Sequence, residues 1–350
     1  MLDATTAPLD PATVRCAEAP SGPWEHLTPD EQRWLEGEVA QLAAKPSSSP
    51  GADACAELSL PGVADAAVST RIGRVFPGMW KYRNQDAFLA APAGPAALLL
   101  GVFDGHNTGG ERASAAAAAS VAAAFAELPL PAAASPAQQQ MAAVAALQRA
   151  AAELRAAGGY ERCGAAAAVC LAAPGCLTAA WAGDCRAVAG VCMADGSLQA
   201  LALTQDHKPD SPLERARIEA TPAGRVKQTA GGARLMDGSL GWQEALAAKS
   251  LGLSRALGDT SYTPLGLTAE PDAATLCLPP APTGRRHVLI VASDGLWEVV
   301  GSGKAVAAAA ACATPAAAAA ALADLSRRRG VACKGGRVLD DCTVAVAFVA

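Results

Sequence analysis

Aromatic side chains and runs of positive charge are both scarce in this 350-residue chain. Phe, Trp and Tyr make up 4% of the residues, although 51% are apolar, and much of that apolar content is alanine. The chain therefore has enough apolar residues for a sizeable core, but one rich in small side chains. The formal net charge is −5, and the sequence has no long run of Lys or Arg. This balance argues against nucleic acid or an anionic membrane surface as a main partner.

The cysteines lack the spacing of a structural metal site. There are eleven of them, an odd number, scattered and without a Cys-x-x-Cys pair. Several, such as Cys170 and Cys192, lie inside apolar runs, where a free thiol behaves as a small hydrophobic group. We infer a reduced compartment and no structural zinc.

Targeting and membrane-spanning signals are also missing from the sequence. Residues 1–25 have no basic start followed by an apolar stretch, and they contain acids and few arginines, so we expect neither a secretory signal nor a transit peptide. The apolar stretch 305–322 is mostly alanine and is interrupted by Pro315, which favours a pair of helices over a membrane span. We expect a cytoplasmic or nuclear protein, or one found in both compartments, with no membrane partner.

Residues 1–57 are predicted to be an N-terminal extension with one helix. A capping box begins at Thr28, Pro29 takes the first helical position, and apolar residues follow at helical spacing, which predicts an amphipathic helix over about 28–44. A Pro/Ser-rich linker follows at 45–51. This helix either packs on the domain surface or acts as a docking or regulatory element.

Residues 58–350 are predicted to form one domain in which strands and helices alternate. Four apolar runs within 165–203 are separated by Pro-Gly, Gly-Asp and Asp-Gly turns, which is typical of an antiparallel meander. Residues 205–250 are polar and predict a long irregular excursion with one short helix, Pro212–Glu219. The other predicted helical segments are 111–128, 136–157 and 303–328. This order indicates an α+β chain built on antiparallel sheets.

Acidic residues stand at the ends of three strand-like apolar runs. These sites are Asp104-Gly105-His106 after the run 97–103, Asp294-Gly295 after 287–293, and Asp340-Asp341 before 343–349. Asp-Gly is a common turn dipeptide, so one such site would mean little. Carboxylates gathered at three strand ends suit a hard divalent cation, and the first site adds an imidazole that can donate a proton.

Seven segments, taken in order, resemble the metal-dependent Ser/Thr protein phosphatases of the PPM or type 2C family. They are KYRNQDAF (81–88), VFDGHNTGGERAS (102–114), WAGDCRAV (181–188), LTQDHKPDSPLERARIEATPAGRV (203–226), LGLSRALGD (251–259), VASDGLWEVV (291–300) and DDCTVAVAFV (340–349). The resemblance covers about residues 68–350. It implies an α-β-β-α sandwich of two antiparallel sheets flanked by helices, with a dinuclear metal centre at the sheet edge. It also makes 58–350 a phosphatase catalytic domain, with a flap at about 205–250.

The resemblance implies metal-binding roles at matching positions. Asp104 would bridge two ions, and Gly105 would offer its backbone carbonyl to one of them. Asp294 would be a further direct ligand, and Asp86 would act near the metals through bound water. Because all these donors are oxygen atoms, we expect two Mg²⁺ or Mn²⁺ ions rather than zinc.

The metal-binding roles of two further acidic positions can each be interpreted in two ways. The family's last ligand stands three residues before the residue matched by Thr343, which selects Asp340 over Asp341, although the pair could share the role. Asp184 matches a carboxylate of a weaker third metal site, but a tight hairpin turn would explain it equally well.

The implied reaction is hydrolysis of phosphoserine and phosphothreonine in proteins by a metal-activated water. His106 is the candidate general acid for the departing alkoxide. Lys81 stands where the family often has an Arg that binds the substrate phosphate, and Arg83 is the alternative. Phosphoprotein substrates are the implied partners, and we expect a monomer.

Some positions depart from the family pattern. Gln85 replaces a Glu found in some members, and Asn107 replaces a Gly but tolerates left-handed backbone angles. Arg255 and Asp259 are expected to brace the flap. Two alternatives stay open: a catalytically weak or silent pseudophosphatase that acts as a binding scaffold, and a hydrolase of small phosphate esters.

Overall fold

The computed structural model describes residues 54–76, 79–241, 250–333 and 339–350. These residues form two central antiparallel sheets with helices on both outer faces. The amphipathic helix predicted over about 28–44 lies outside the described residues. The domain boundary at residues 57 and 58 remains a prediction.

The strands of the two central sheets are mostly Ala, Val and Leu. Strands β7 and β8 are buried along their whole length, as expected for strands covered on both faces. The strands are β1 (Ala54–Leu60), β2 (Ala64–Arg71), β3 (Arg74–Phe76), β4 (Met79–Trp80), β5 (Asp86–Gly94), β6 (Ala97–His106), β7 (Gly164–Ala173), β8 (Cys176–Ala182), β9 (Arg186–Cys192), β10 (Leu198–Ala202), β11 (Gly224–Thr229), β12 (Gly232–Asp237), β13 (Ser250–Leu251), β14 (Leu257–Gly258), β15 (Asp272–Cys277), β16 (His287–Ala292) and β17 (Cys342–Val349).

The helices predicted over 111–128, 136–157 and 212–219 lie within one residue of their predicted bounds. The predicted segment 303–328 is two helices, and a short helix at 294–297 was not predicted. The helices are α1 (Gly110–Glu127), α2 (Pro136–Ala157), α3 (Pro212–Glu219), α4 (Asp294–Trp297), α5 (Ser302–Ala310) and α6 (Pro315–Cys333), with a 3₁₀ helix at Thr260–Leu265. Helix α2 shows why local signals suffice here. The Ser135 side chain accepts from the Gln138 amide, the Gln138 side chain caps Ser135 in return, and proline takes the first helical position.

Two six-stranded sheets pack face to face. The first sheet has the order β1-β2-β17-β16-β9-β10, and the second has the order β15-β8-β7-β6-β5 with β14 beside β7. The core between the sheets contains side chains from both, including Val68 and Leu289 from the first and Leu100 and Val102 from the second. Among the described residues, this core is one of three apolar clusters whose burial stabilises the domain.

Each outer sheet face is covered by a helical pair. Helices α1 and α2 pack on the second sheet through residues such as Val121 and Leu147, and α5 and α6 pack on the first through residues such as Leu322. The many alanines on these helices allow close approach to the sheets. The predicted α-β-β-α sandwich is confirmed.

The prediction of one continuous meander over 165–203 is wrong at its middle turn. Strands β7 and β8 form a hairpin in the second sheet, whereas β9 and β10 form a hairpin in the first. The chain crosses between the sheets at Gly183-Asp184, where Gly183 has a φ of 118°. Turn residues signal that a strand ends, but they do not say with which sheet the next strand pairs. The crossing carries Asp184 to the place where both sheets end.

The excursion at 205–250 is more ordered than predicted where the structure describes it. Besides α3 it contains β11 and β12, which form a small sheet with β13. The expectation that Arg255 braces this region is confirmed, because its guanidinium donates to Glu214 on α3 at 2.8 Å and to Asp272 at 2.7 Å.

Within the described ranges, no helix combines the length and the apolar character needed to cross a bilayer.

Candidate metal centre and active site

Carboxylates from both sheets converge at one end of the sandwich. Asp104 on β6 stands directly opposite Asp86 on β5, and Asp294 begins α4 immediately after β16. Oxygen atoms of Asp104, Asp184 and Asp294 all lie within 4.8 Å of one another. Three strand or turn endings, far apart in the sequence, therefore supply one compact acidic cluster.

The chemistry of this cluster fits a divalent cation. Oδ1 of Asp86 and Oδ1 of Asp294 are buried, and neither accepts a hydrogen bond from any described residue. Burial and the nearby Asp341 charge raise the pKa of Asp86 to about 7. Burial and neighbouring carboxylates also raise the pKa values of Asp104 and Asp294 well above the usual range. Unpaired buried carboxylates are costly, and a hard cation with oxygen ligands relieves that cost.

Gly105 is required by the packing of the backbone around it. Its amide donates to the Gln85 carbonyl at 3.1 Å, and the start of α1 at Gly110 lies against its Cα. The family resemblance implied only that the Gly105 carbonyl would bind a metal. In the structure the crowding comes from the backbone of Gln85 and Gly110.

Replacing Gly105 by Ala is expected to destabilise the protein by about 1–3 kcal/mol through overpacking. The added Cβ would lie 2.5 Å from the Gln85 carbonyl oxygen and would overlap the carbonyl oxygen of Gly110. Gly301→Ala is the matched control, because φ there is −68° and no atom lies within 4 Å of the added Cβ. Urea unfolding of both variants measures the effect. Equal stability of the two variants would contradict this account of Gly105.

Asp340 and Asp341 have different environments. Asp341 is buried, and its carboxylate accepts from the amides of Gly73 at 2.6 Å and Gln85 at 2.9 Å. Asp340 is 46% exposed at its side chain and lines the cleft. Asp341 therefore fixes the loop, and Asp340 is the one of the pair that faces the site, as the sequence prediction requires.

Lys81 is already paired with these two acids. Its Nζ donates to Asp340 at 2.5 Å and to Asp341 at 2.9 Å. Burial disfavours the charge on Lys81, but the two carboxylates outweigh it and the net pKa of Lys81 is raised. Arg83, the alternative phosphate ligand, is 60% exposed and pairs with Glu111 at 3.3 Å. Of the two candidates, Lys81 is the one that lines the cleft.

His106 is held by Asp259, a residue that we expected from the sequence to brace the flap. The Nε2 atom of His106 lies 2.5 Å from Oδ2 of Asp259, whose side chain is fully buried. That expectation for Asp259 is wrong, because the turn after β14 aims the carboxylate at His106. A buried carboxylate on one ring nitrogen orients the imidazole, and His106 lines the cleft.

Backbone strain is concentrated around His106 and Asp259. Asn107 and Asp259 are the two non-glycine residues with positive φ in the described ranges, at 63° and 50°. The expectation that Asn107 keeps a left-handed turn is confirmed. Gln85 supports this turn, because its Nε2 donates to the Asn107 carbonyl at 2.7 Å. Strained residues persist where the surroundings hold them, which is common at functional sites.

The turn that carries Asp184 is fixed from the flap side. The Gly183 amide donates to Nδ1 of His207 at 3.1 Å, and the His207 ring stacks on Trp181. Nζ of Lys208 donates to Asp184. His207 and Lys208 therefore place Asp184 in the acidic cluster, a role that sequence reasoning did not assign to either residue.

These groups line one open cleft of about 570 Å³. The predicted site residues on its wall are Lys81, Asp104, Gly105, His106, Asp184, Asp294 and Asp340. Asp86 lies behind them, opposite Asp104, and its Oδ2 accepts from Ser293 at 2.8 Å. The structure thus brings together the residues that the sequence singled out. It adds Asp259, whose separation of 153 residues from His106 left no local signal to find it.

Comparisons with known proteins agree with this architecture. A family model described as Protein phosphatase 2C matches residues 84–335. The chain is 30% identical over 171 residues to Probable protein phosphatase 2C 73 of Arabidopsis thaliana, a match covering 48% of this chain and 43% of that relative. It is 35% identical over 186 residues to Probable protein phosphatase 2C 74 of Oryza sativa subsp. japonica, covering 53% and 40%. The chain spans less than half of the length of these relatives.

Solved structures share the fold. A serine-threonine phosphatase 2C from Toxoplasma gondii superposes with a TM-score of 0.68 at 23% identity, over 85% of this chain and 100% of that chain. A phosphatase from a pathogenic strain of Toxoplasma gondii gives a TM-score of 0.61 at 20% identity, over 85% and 96%. At these identities the likeness concerns the arrangement of sheets and helices.

Proposed function

Because this chain belongs to the protein phosphatase 2C family, we propose that it hydrolyses phosphoserine and phosphothreonine in proteins with the help of bound divalent cations. One observation carries the proposal: a compact carboxylate cluster shares a cleft with an imidazole held by a buried carboxylate. Hydrolysis of a phosphate ester needs a group of acids that can bind divalent cations and, beside it, a side chain that can donate a proton.

The proposed ligands are the acids of the cluster. Asp104 would bridge two ions, with the Gly105 carbonyl, Asp294 and Asp340 completing the direct ligands and Asp86 acting through water. Asp184 is the candidate for a third ion. Bound Mg²⁺ or Mn²⁺ would activate water and withdraw charge from the phosphoryl oxygens.

His106 is proposed to protonate the departing serine or threonine oxygen. An alkoxide is a poor leaving group, so a positioned acid contributes roughly 10²–10⁴-fold to such a step. Asp259 binds Nε2, and the proton would be delivered from Nδ1.

Lys81 is proposed to bind the substrate phosphate. Its ammonium lies in the cleft beside Asp340, whereas the guanidinium of Arg83 is mostly exposed and pairs with Glu111. Lysine supplies charge without the bidentate geometry of arginine, so we expect a looser grip on the phosphate. Cations from the flap side, Lys208 and Arg234, line the same cleft.

Phosphate release from a phosphothreonine peptide tests the proposal. The wild-type chain is assayed with Mn²⁺, with Mg²⁺ and with chelator. We expect turnover with either metal and none with chelator. A folded protein that is inactive with both metals would refute the enzyme proposal and favour the binding-scaffold alternative. Turnover of small phosphate esters without turnover of the peptide would point instead to the small-ester hydrolase.

A further inference from the structure

Two cysteines face each other at the end of the second sheet, far from the metal centre. Strand β15 is the edge strand of that sheet and pairs with β8. In the register of this pair, Cys277, the last residue of β15, stands opposite Cys176, the first residue of β8. Among the ladders of the described ranges, no other pair of cysteines stands face to face.

The hydrogen-bond pattern shows which kind of pair this is. The Leu278 amide donates to the Gly175 carbonyl at 2.8 Å, so those two opposed residues form a hydrogen-bonded pair. Hydrogen-bonded and non-hydrogen-bonded pairs alternate along an antiparallel ladder, so the neighbouring pair, Cys176 and Cys277, is non-hydrogen-bonded. In such pairs the Cα atoms are about 4.5 Å apart, within the lower part of the range that a disulfide spans.

A neighbouring contact confirms that side chains meet at this kind of position. Thr178 and Thr275 are the opposed pair two residues along the same ladder, and their hydroxyl oxygens lie 3.0 Å apart. Side chains two residues apart in a strand share a face, so the two thiols lie on the same side as the two hydroxyls. Gln139 on α2 contacts both Cys176 and Thr178, which identifies this face as the one under α2.

We propose that Cys176 and Cys277 are a reversible disulfide pair, formed when the protein meets an oxidant of the glutathione disulfide class. Both thiols are free in the structure, which is the reduced state. Disulfides in reducing compartments, where they occur, are usually transient and redox-sensing. This pair is separate from the proposed phosphatase site, and its chemistry does not depend on that activity.

The two thiols have different roles in the exchange. Cys277 is exposed, whereas Cys176 is buried, and burial raises its pKa despite the hydrogen bond from Gln139. The Cys277 thiolate therefore attacks glutathione disulfide first, forming a mixed disulfide and releasing one glutathione thiolate. The Cys176 thiol then loses its proton and attacks the Cys277 sulfur, releasing the second glutathione. Two protein thiols are oxidised to one disulfide, and one glutathione disulfide is reduced to two thiols.

The new bond would close a long covalent loop. The segment between Cys176 and Cys277 includes the flap, the Asp184 turn and Asp259. Cross-links across long loops restrict the unfolded chain most, and this one would also fasten an edge strand. We expect the melting temperature of the oxidised protein to rise by roughly 5 °C for a domain of this size.

Peptide mapping of the full chain tests the pair. The reduced protein is incubated with glutathione disulfide, free thiols are blocked with an alkylating agent, and the digest is analysed by mass spectrometry. We expect a Cys176–Cys277 cross-linked peptide that a reductant such as dithiothreitol removes. Cys277→Ser should lose both the cross-link and the rise in melting temperature. Its exposed position makes a folding defect from this change unexpected, and the melting temperature of the reduced variant checks that.

Cys55→Ser is the matched control. Cys55 is also an exposed cysteine on an edge strand, but the residue opposite it is Ser69. The variant should keep the cross-link, and in the wild type Cys55 should carry glutathione without resolving to an internal disulfide. The proposal is overturned if Cys277 retains glutathione while Cys176 is alkylated as a free thiol. It is equally overturned if Cys277 links to a different cysteine.

Discussion

Asp104→Asn is expected to lower metal-dependent phosphate release by at least about 10³-fold, which corresponds to about 4 kcal/mol of activation free energy. Asp104 stands at the centre of the cluster, because its carboxylate interacts with those of Asp86, Asp294, Asp340 and Asp184. An amide keeps the size of the side chain but removes the charge and one of the oxygen ligands that hard cations require. Turnover of a phosphothreonine peptide at saturating Mn²⁺ measures the loss.

The same substitution should stabilise the metal-free protein. The pKa of Asp104 is raised by burial and by neighbouring carboxylates, so the folded state binds a proton more tightly than the unfolded chain does. The stability of the metal-free wild type therefore falls as pH rises above 3.8, the ordinary pKa of an aspartate, toward the raised pKa of Asp104. Asn carries no such charge. The Asp104→Asn variant should therefore be more stable than the metal-free wild type, by an amount that grows as pH rises between these two pKa values and vanishes below the lower one.

Thermal unfolding in chelator, across pH, separates these effects from a folding defect. Asp65→Asn is the matched control, because Asp65 lies on a strand of the first sheet with a side chain that is 52% exposed. It should leave both activity and stability nearly unchanged. An Asp104→Asn variant that keeps its metal-dependent turnover would contradict the proposed bridging role. A variant less stable than wild type in chelator at neutral pH would contradict the electrostatic account.

Asp259→Asn is expected to lower turnover of a phosphothreonine peptide by roughly 10²–10³-fold, the range for loss of general acid catalysis. The contact at 2.5 Å between Asp259 and His106 orients the imidazole. An activated aryl phosphate such as para-nitrophenyl phosphate has a good leaving group and needs no protonation. Its turnover should fall much less, and this leaving-group dependence is not expected from a merely structural role.

The control for this prediction is the second Asp–His pair of the same chain. Oδ2 of Asp272 lies 3.1 Å from Nε2 of His207, on the flap side of the site. Because Asp259 rather than Asp272 contacts the proposed general acid, we expect Asp272→Asn to affect the turnover of both substrates equally. His106→Asn should match Asp259→Asn, and the double variant should add little. Equal losses on both substrates in Asp259→Asn would refute the positioning role.

Much of the local structure was readable from the sequence. Helix α2 begins at its predicted proline because Ser135, Pro136 and Gln138 supply the cap from within one turn. The carboxylates at strand ends were equally readable, because apolar runs that stop at Asp104, Asp294 and Asp340 are local patterns. Family resemblance then supplied the order of the segments and, with it, the layered fold.

Signals from residues a few positions apart were enough to predict the bounds of helices such as α1 and α2 and the acids at strand ends. Which distant groups meet depended on the packing of the folded chain. The Asp259–His106 contact joins residues 153 positions apart, and the Lys81–Asp340 pair joins residues 259 positions apart. The crossing at Gly183-Asp184, which splits the predicted meander, was decided in the same way. Such contacts depend on how sheets and loops pack against one another, and packing geometry leaves no periodic trace in the chain.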